Sequence, residues 1–268
     1  MLDDMSMNFG IVIAPRSGAT WIEAVQTAER QGYGTVLLPD TLYTASPFPA
    51  LAAAAAVTTT LRLRPNVLAA PMRSAAATVR ETAALQLLSD GRFELGLGTG
   101  RPDAAAEAEK LGVAFGSAAQ RRAQLVEVAR AVRAEVTPAP PIVIAASGAR
   151  MLATCAEIAD RVHLAVAPTA GEQDLADIVA RVRDLTDRPI AFSLQLVAIG
   201  DALPPFMSKF MGVTLEQLRE ANAAALLPAD PVAAAELLEH RREKLGIDEI
   251  LVPGDLSEAF APVLTRFR

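Results

Sequence analysis

Eight short apolar runs, separated by amphipathic, Ala-rich stretches of helical period, constrain this chain more than any other feature. The runs are Phe9–Ile13, Thr35–Pro39, Arg62–Ala69, Arg92–Gly98, Ile142–Ala146, Val162–Val166, Ile190–Ile199 and Ile250–Pro253. Most central ones are nearly continuous in apolar residues, the pattern of parallel strands buried on both faces. The predicted helices carry start and stop signals. Ala19–Gln31 stops at Gly32, Pro49–Thr59 opens on a proline, Ser74–Leu88 starts on a Ser N-cap and Pro231–Leu245 stops at Gly246. Ala119–Glu135, Ala149–Asp160 and Gly171–Thr186 follow the same logic, and a helix–turn–helix insert is expected over Leu203–Leu227. Eight such units predict one closed (β/α)8 barrel spanning 1–268, rather than a doubly wound sheet of about five to seven strands. In such a barrel the site is expected at the C-terminal ends of the strands.

Composition narrows the function classes. Hydrophobic residues make up 51% and aromatics only 4%, so Ala, Val and Leu must carry the core and helices can lie close together. Lys plus Arg is 25 and Asp plus Glu 31, a net charge of −6 that argues against a nucleic-acid binder. Cys155 is the lone cysteine and reads as a buried small hydrophobe; no metal site is expected. The start, Met1-Leu2-Asp3-Asp4-Met5-Ser6-Met7, has acid in place of a signal peptide's basic flank, and no run is long and apolar enough to span a membrane. A soluble, cytoplasmic protein acting on a small molecule is the expectation.

The segment Ser89-Asp90-Gly91-Arg92-Phe93-Glu94-Leu95-Gly96-Leu97-Gly98-Thr99-Gly100 is a tight turn feeding a strand that ends in a glycine-rich loop. Glycines at 96, 98 and 100 would let a flat ring or a phosphate approach the backbone. As spacing alone, a structural turn is at least as good an account, and the pattern is not the dinucleotide fingerprint. A second element is Pro140-Pro141-Ile142-Val143-Ile144-Ala145-Ala146-Ser147-Gly148, at a strand end directly before a helix. A helix N-terminus there offers unpaired N–H groups to an anion; a plain Ser N-cap is the competing account.

Taken whole, these two elements resemble the bacterial-luciferase-like monooxygenase family, and the second most closely its deazaflavin (F420)-dependent branch. The run Gly32-Tyr33-x-x-Val36-x-x-Pro39-Asp40 and the closing Ala259-Phe260-Ala261-Pro262 agree. The resemblance implies an oxidoreductase that moves a hydride between F420 and a small organic substrate. Cofactor contacts are then expected at Ala69, Ala70, Gly98, Thr99, Gly100, Ala146, Ser147 and Gly148, with Arg150 as an added cation. A bulge at the end of the third strand, often with a non-prolyl cis peptide in relatives, would support the ring. Small-residue faces on the second and third helices, including the Ala run 52–56, suggest a homodimer.

Two departures open alternatives. Where the family has Asp followed by His, this chain has Asp40-Thr41-Leu42-Tyr43, and Thr is no general base near neutral pH. Asp40, Thr41 and Tyr43 are the catalytic candidates; His163, placed at the barrel's bottom, and His240, on a charged helix face, read as structural. The insertion after the fourth strand, Arg101–Thr137, is also short, so the site's cover is reduced. A reduced-FMN monooxygenase using O2 and a partner flavin reductase is one alternative, and a non-catalytic partner subunit is another. The latter gains if Tyr43, Met72 or Phe115 fills the space between Asp40, Ala70 and Gly98.

Overall fold

The computed structural model describes residues 7–101, 103–209 and 211–268; the acidic start of the chain, 1–6, lies outside them. In chain order the elements are β1 (Asn8–Val12), α1 (Gly18–Arg30), β2 (Thr35–Leu38), α2 (Pro47–Ala55), β3 (Arg62–Pro65), β4 (Leu68–Ala69), α3 (Ala75–Leu88), β5 (Leu95–Gly98), α4 (Ala105–Lys110) and α5 (Ala118–Glu135). They continue with β6 (Ile142–Ala146), α6 (Ala149–Ile158), β7 (Arg161–Leu164), α7 (Glu172–Leu185), β8 (Ala191–Gln195), β9 (Ala198–Ile199), α8 (Pro205–Lys209) and α9 (Leu215–Glu220). The last are β10 (Leu226–Leu227), α10 (Pro231–Leu245), β11 (Ile247–Pro253) and α11 (Ser257–Leu264).

The main sheet runs β3-β2-β1-β11-β8-β7-β6-β5-β4. Its paired strands are all parallel, as crossover helices require. A parallel bridge between Leu63 and Phe93 brings β3 alongside the approach to β5 and closes the barrel. The expected third strand, Arg62–Ala69, is thus two segments: β3 pairs with β2, and β4 pairs with β5. Between them Asn66–Val67 is a non-prolyl cis peptide, and Pro65 has no N–H for the ladder. The expected Ile190–Ile199 strand also divides, because β9 leaves the barrel to pair with β10. The insert therefore holds two short helices and a strand rather than a bare helix–turn–helix.

The larger hydrophobic core lies between sheet and helices, where Val25, Leu51, Leu63, Phe93, Leu125, Leu194 and Phe260 are all buried. Each such side chain contributes roughly 1.5–3 kcal/mol through burial. Cys155 belongs to this core, and burial pushes its thiol up to about 12. Arg92, in the tight-turn motif, serves structure: it donates to the carbonyls of Ser89 (2.9 Å), Leu61 (2.8 Å) and Ala55 (2.9 Å).

The barrel's interior is polar towards the strand starts. Arg64 donates through Nε to Glu94 (2.6 Å) and through Nη1 to Glu249 (2.8 Å); their relative exposures are 1%, 6% and 0%. Arg161 pairs with Asp248 and lies 3.6 Å from Glu249. Burial alone would raise the Glu249 carboxyl, but Arg64 and Arg161 hold it well below the usual carboxylate range. His163, expected at the barrel's bottom, is buried inside the barrel against Ser193, 3.3 Å away. Burial and the neighbouring Arg64 charge push its imidazole down to about 4, so it is neutral at pH 7.

Candidate active site

The loop after β2 carries all three catalytic candidates, and its geometry separates them. Asp40 forms a two-pronged ion pair with Arg73, at 2.5 and 3.1 Å, and its side chain is 11% exposed. Arg73, its side chain 21% exposed, also lies 5.9 Å from the Phe48 ring centroid. Engaged this way, Asp40 is held in place by a partly buried cation. Thr41 Oγ1 accepts from the Tyr43 N–H (3.2 Å), and Thr44 Oγ1 donates to the Pro39 carbonyl (2.9 Å), so these hydroxyls shape a turn. Tyr43 is 85% exposed and does not fill the barrel mouth.

The glycines of the motif make room for the chain itself. A Cβ at Gly96 would lie 2.0 Å from the Pro65 carbonyl oxygen, and one at Gly98 would lie 2.7 Å from Val67 Cγ2. The bulge expected near Ala69–Ala70 is found three residues earlier, and Gly96 and Gly98 are the surface on which it rests. Ala69 stands beside Gly98 in the β4–β5 register, while Ala70 is buried at the start of a 3-10 turn. Gly100, at φ 81°, lies under the Phe115 ring, which a Cβ there would approach to 2.9 Å.

Phe115 belongs to the shortened cover, which is fastened at two points. Arg121 stacks 4.2 Å from the Phe115 ring centroid while donating to the carbonyls of Thr99 (3.0 Å) and Gly116 (2.9 Å). Glu107 on α4 pairs with Arg101 and accepts the Leu42 N–H at 2.9 Å, tying the cover to the β2 loop. The sequence shows no sign of that tie, because Glu107 reads as an ordinary solvated helix residue.

Across the mouth, Ala146 is buried at the end of β6, and Ser147 and Gly148 are exposed ahead of α6. Gly148 is the N-cap and no side chain caps the helix, so Ser147 does not take the plain capping role. By contrast Ser17, Ser74, Ser117 and Asp230 each cap the helix that follows them. No atom would lie within 4 Å of a Cβ at Gly148, leaving open space before the first α6 N–H groups.

Two polar residues at the mouth escaped the sequence reading. Asn66 Nδ2 donates to Gln195 Oε1 at 3.1 Å, both side chains being half-buried. The available signal was polarity: Asn66 and Gln195 interrupt otherwise apolar strand ends. Two surface clefts, of about 550 Å3 along α5 and about 620 Å3 between the β9–β10 insert and α10, include none of these strand-end residues. Among the described residues no His, Cys, Asp and Glu cluster is arranged to hold a metal ion, and no helix is long and apolar enough to cross a membrane.

Three solved structures share the architecture. The coenzyme F420-dependent tetrahydromethanopterin reductase of Methanopyrus kandleri is 18% identical, over 97% of each chain, with a TM-score of 0.72. An F420-dependent secondary alcohol dehydrogenase, solved with an F420–acetone adduct, is 14% identical over 97% of each chain, with a TM-score of 0.74. A riboflavin lyase, solved with modified FMN and riboflavin, is 14% identical over 98% of this chain and 91% of its own, with a TM-score of 0.78. At these identities the likeness speaks for the fold. No curated protein matches the sequence significantly. The family model of luciferase-like monooxygenases matches residues 7–204, a span that takes in the β2 loop, the bulge, the glycine strand and the Ser147–Gly148 element. This (β/α)8 barrel therefore belongs to the luciferase-like monooxygenase family and is an oxidoreductase.

Proposed function

We propose that this oxidoreductase uses the deazaflavin coenzyme F420 and exchanges a hydride with a small organic substrate at the C-terminal mouth of the barrel. The observation that carries the reading is the uncapped α6 N-terminus behind the exposed Ser147 and Gly148. Such an end attracts a phosphate through its free N–H groups and its dipole. Ala69, which stands beside Gly98 in the β4–β5 register, and the Thr99 that follows border the space in which a planar ring would lie. Bound there, the coenzyme supplies a two-electron hydride carrier; the protein supplies position. Asp40, held by Arg73, fixes the side of the mouth without acting as a base, and the proton that accompanies hydride transfer exchanges with solvent.

Titration of the purified protein with F420 and, in parallel, with FMN tests the reading. Micromolar binding of F420 is expected. A Gly148→Asp variant, which places a carboxylate before the α6 N-terminus, weakens it by about tenfold or more. Gly148→Ala leaves it intact, because the site is open and the backbone there (φ −78°, ψ 144°) suits any residue. Failure to bind F420 overturns the proposal. Tight binding of FMN alone points to the second reading, a reduced-FMN monooxygenase using O2 and a separate flavin reductase, which the FMN-bearing riboflavin lyase supports.

The same reading extends to a homodimer through α2 and α3. On α3 the residues Ala76, Ala77, Ala83 and Ala84 are exposed, and Leu87 and Leu88 are 79% and 60% exposed. A monomer by light scattering at micromolar concentration would refute this.

A further inference from the structure

Asn66 and Gln195 come from opposite sides of the barrel. From β3 the ring of strands passes through β2, β1 and β11 to β8 in one direction, and through β5, β6 and β7 to β8 in the other. Each route takes the same number of steps, so their 3.1 Å hydrogen bond spans the centre of the mouth. Asn66 follows Arg64 by two residues and Gln195 follows Ser193 by two, so each pair shares the inward face of its strand. The layer beneath is internally satisfied: Arg64 is held by Glu94 and Glu249, and His163 by Ser193. The amide pair closes that layer from above and is the polar floor of whatever occupies the mouth.

The pair is only half used. Asn66 Nδ2 spends one of its two hydrogens, and Gln195 Oε1 one of its two acceptor sites. Among the described residues, no other side-chain hydrogen bond engages Asn66 Oδ1 or Gln195 Nε2, and both side chains are part-exposed. What remains open is a hydrogen on Asn66 Nδ2, the Asn66 Oδ1 acceptor, an acceptor site on Gln195 Oε1 and the Gln195 Nε2 hydrogens, so Asn66 Nδ2 with the Gln195 amide can offer donor, acceptor and donor. All three are uncharged. Such a row complements a neutral imide, carbonyl–NH–carbonyl, which presents acceptor, donor, acceptor. It suits neither a carboxylate nor a phosphate, which could use only the donors and would bring an anion above the buried Glu94 and Glu249.

We propose that Asn66 and Gln195 are the recognition pair for the imide edge of the coenzyme's ring, which enters the barrel edge-first with its tail towards Ser147–Gly148. This rests on the coenzyme reading above, and it applies equally to the deazaflavin and to FMN, since both rings carry that edge. It assigns Asn66 and Gln195 as binding residues that position the ring, distinct from the phosphate site.

The test is a cycle between protein and ligand, read by fluorescence titration without turnover. The probes are the coenzyme that the wild-type protein binds, F420 or FMN, and its derivative methylated at the imide nitrogen. Methylation removes the donor that Gln195 Oε1 would accept. The wild-type protein is expected to bind the methylated ring about tenfold more weakly. In Gln195→Leu the unmodified ring weakens about three- to tenfold, and the penalty for methylation falls to about twofold or less. Gly148→Asp lowers affinity for both rings alike and leaves the methylation penalty unchanged. Asn66→Ala gives a second, independent variant, with thermal unfolding reporting whether each protein is folded. An undiminished methylation penalty in folded Gln195→Leu, or an undiminished affinity for the unmodified ring in folded Asn66→Ala, overturns the proposal. If the wild-type protein binds neither coenzyme, the parent reading has failed and this assignment falls with it.

Discussion

Replacing Arg64 by methionine isolates the charged layer on which the site's floor rests. The guanidinium is 1% exposed and makes ionic hydrogen bonds to Glu94 and to both oxygens of Glu249, so the variant leaves two buried carboxylates short of their partner. Removing one member of such a set typically costs about 3–5 kcal/mol, because the remaining charge stays desolvated. For a chain of this size that corresponds to a fall in Tm of about 10 °C. Urea unfolding followed by circular dichroism at pH 7 and near pH 4.5 would measure it.

The pH dependence gives the sharper check. In the wild-type protein the Glu249 carboxyl is depressed, so its contribution is full above the unfolded value of about 4.5 and is lost as pH falls below it. Without Arg64 the burial of that carboxyl is offset chiefly by Arg161, so it is less depressed, the native state takes a proton more readily, and the gap between variant and wild type narrows as pH falls. A companion with Arg64→Met, Glu94→Leu and Glu249→Met, which removes the stranded charges, should regain at least half of the loss. A penalty below about 1 kcal/mol at pH 7, or one that does not change with pH, would refute the reasoning.

Other consequences concern the mouth and the interior. Tyr43→Phe should change turnover by less than about twofold, against the roughly hundredfold loss expected on removing a general acid, because the phenol points to solvent. Gly96→Ala should cost about 3 kcal/mol or more in denaturant unfolding, since its Cβ meets the Pro65 carbonyl at 2.0 Å. Gly98→Ala meets only the Val67 side chain, so adding Val67→Ala should restore its stability; an unrescued double variant would contradict that geometry. Glu107→Ala cuts the tie to the Leu42 N–H, and faster proteolysis within 101–116 with an unchanged global Tm is the expected signature. His163, depressed to about 4 in the native state, makes stability fall as pH drops from about 6.5 towards 4, by about 3 kcal/mol in all. A His163→Gln variant with the same pH slope would show that this group is not responsible.

Much of the architecture was legible because it follows from local periodicity. Ile142–Ala146 and Pro231–Leu245 were bounded correctly from apolar runs, a proline start and a glycine stop, all properties of neighbouring residues. The open α6 N-terminus was half legible: Ser147 and Gly148 marked a helix start, while the missing cap depends on where the Ser side chain points. The break of the third strand had a clue in Pro65, but its place was set by Gly96, whose missing Cβ lets the Pro65 carbonyl come close. The roles of the polar residues were decided only by the barrel closing on itself. Asp40 meets Arg73 across 33 residues, Asn66 meets Gln195 across 129 and Arg64 meets Glu249 across 185. By itself the sequence determined which segments are strand and helix, since hydrophobic period and capping are local. Tertiary structure alone decided which charges are spent on one another and which polar groups remain for a ligand, because those depend on distances that exist only once opposite strands share one interior.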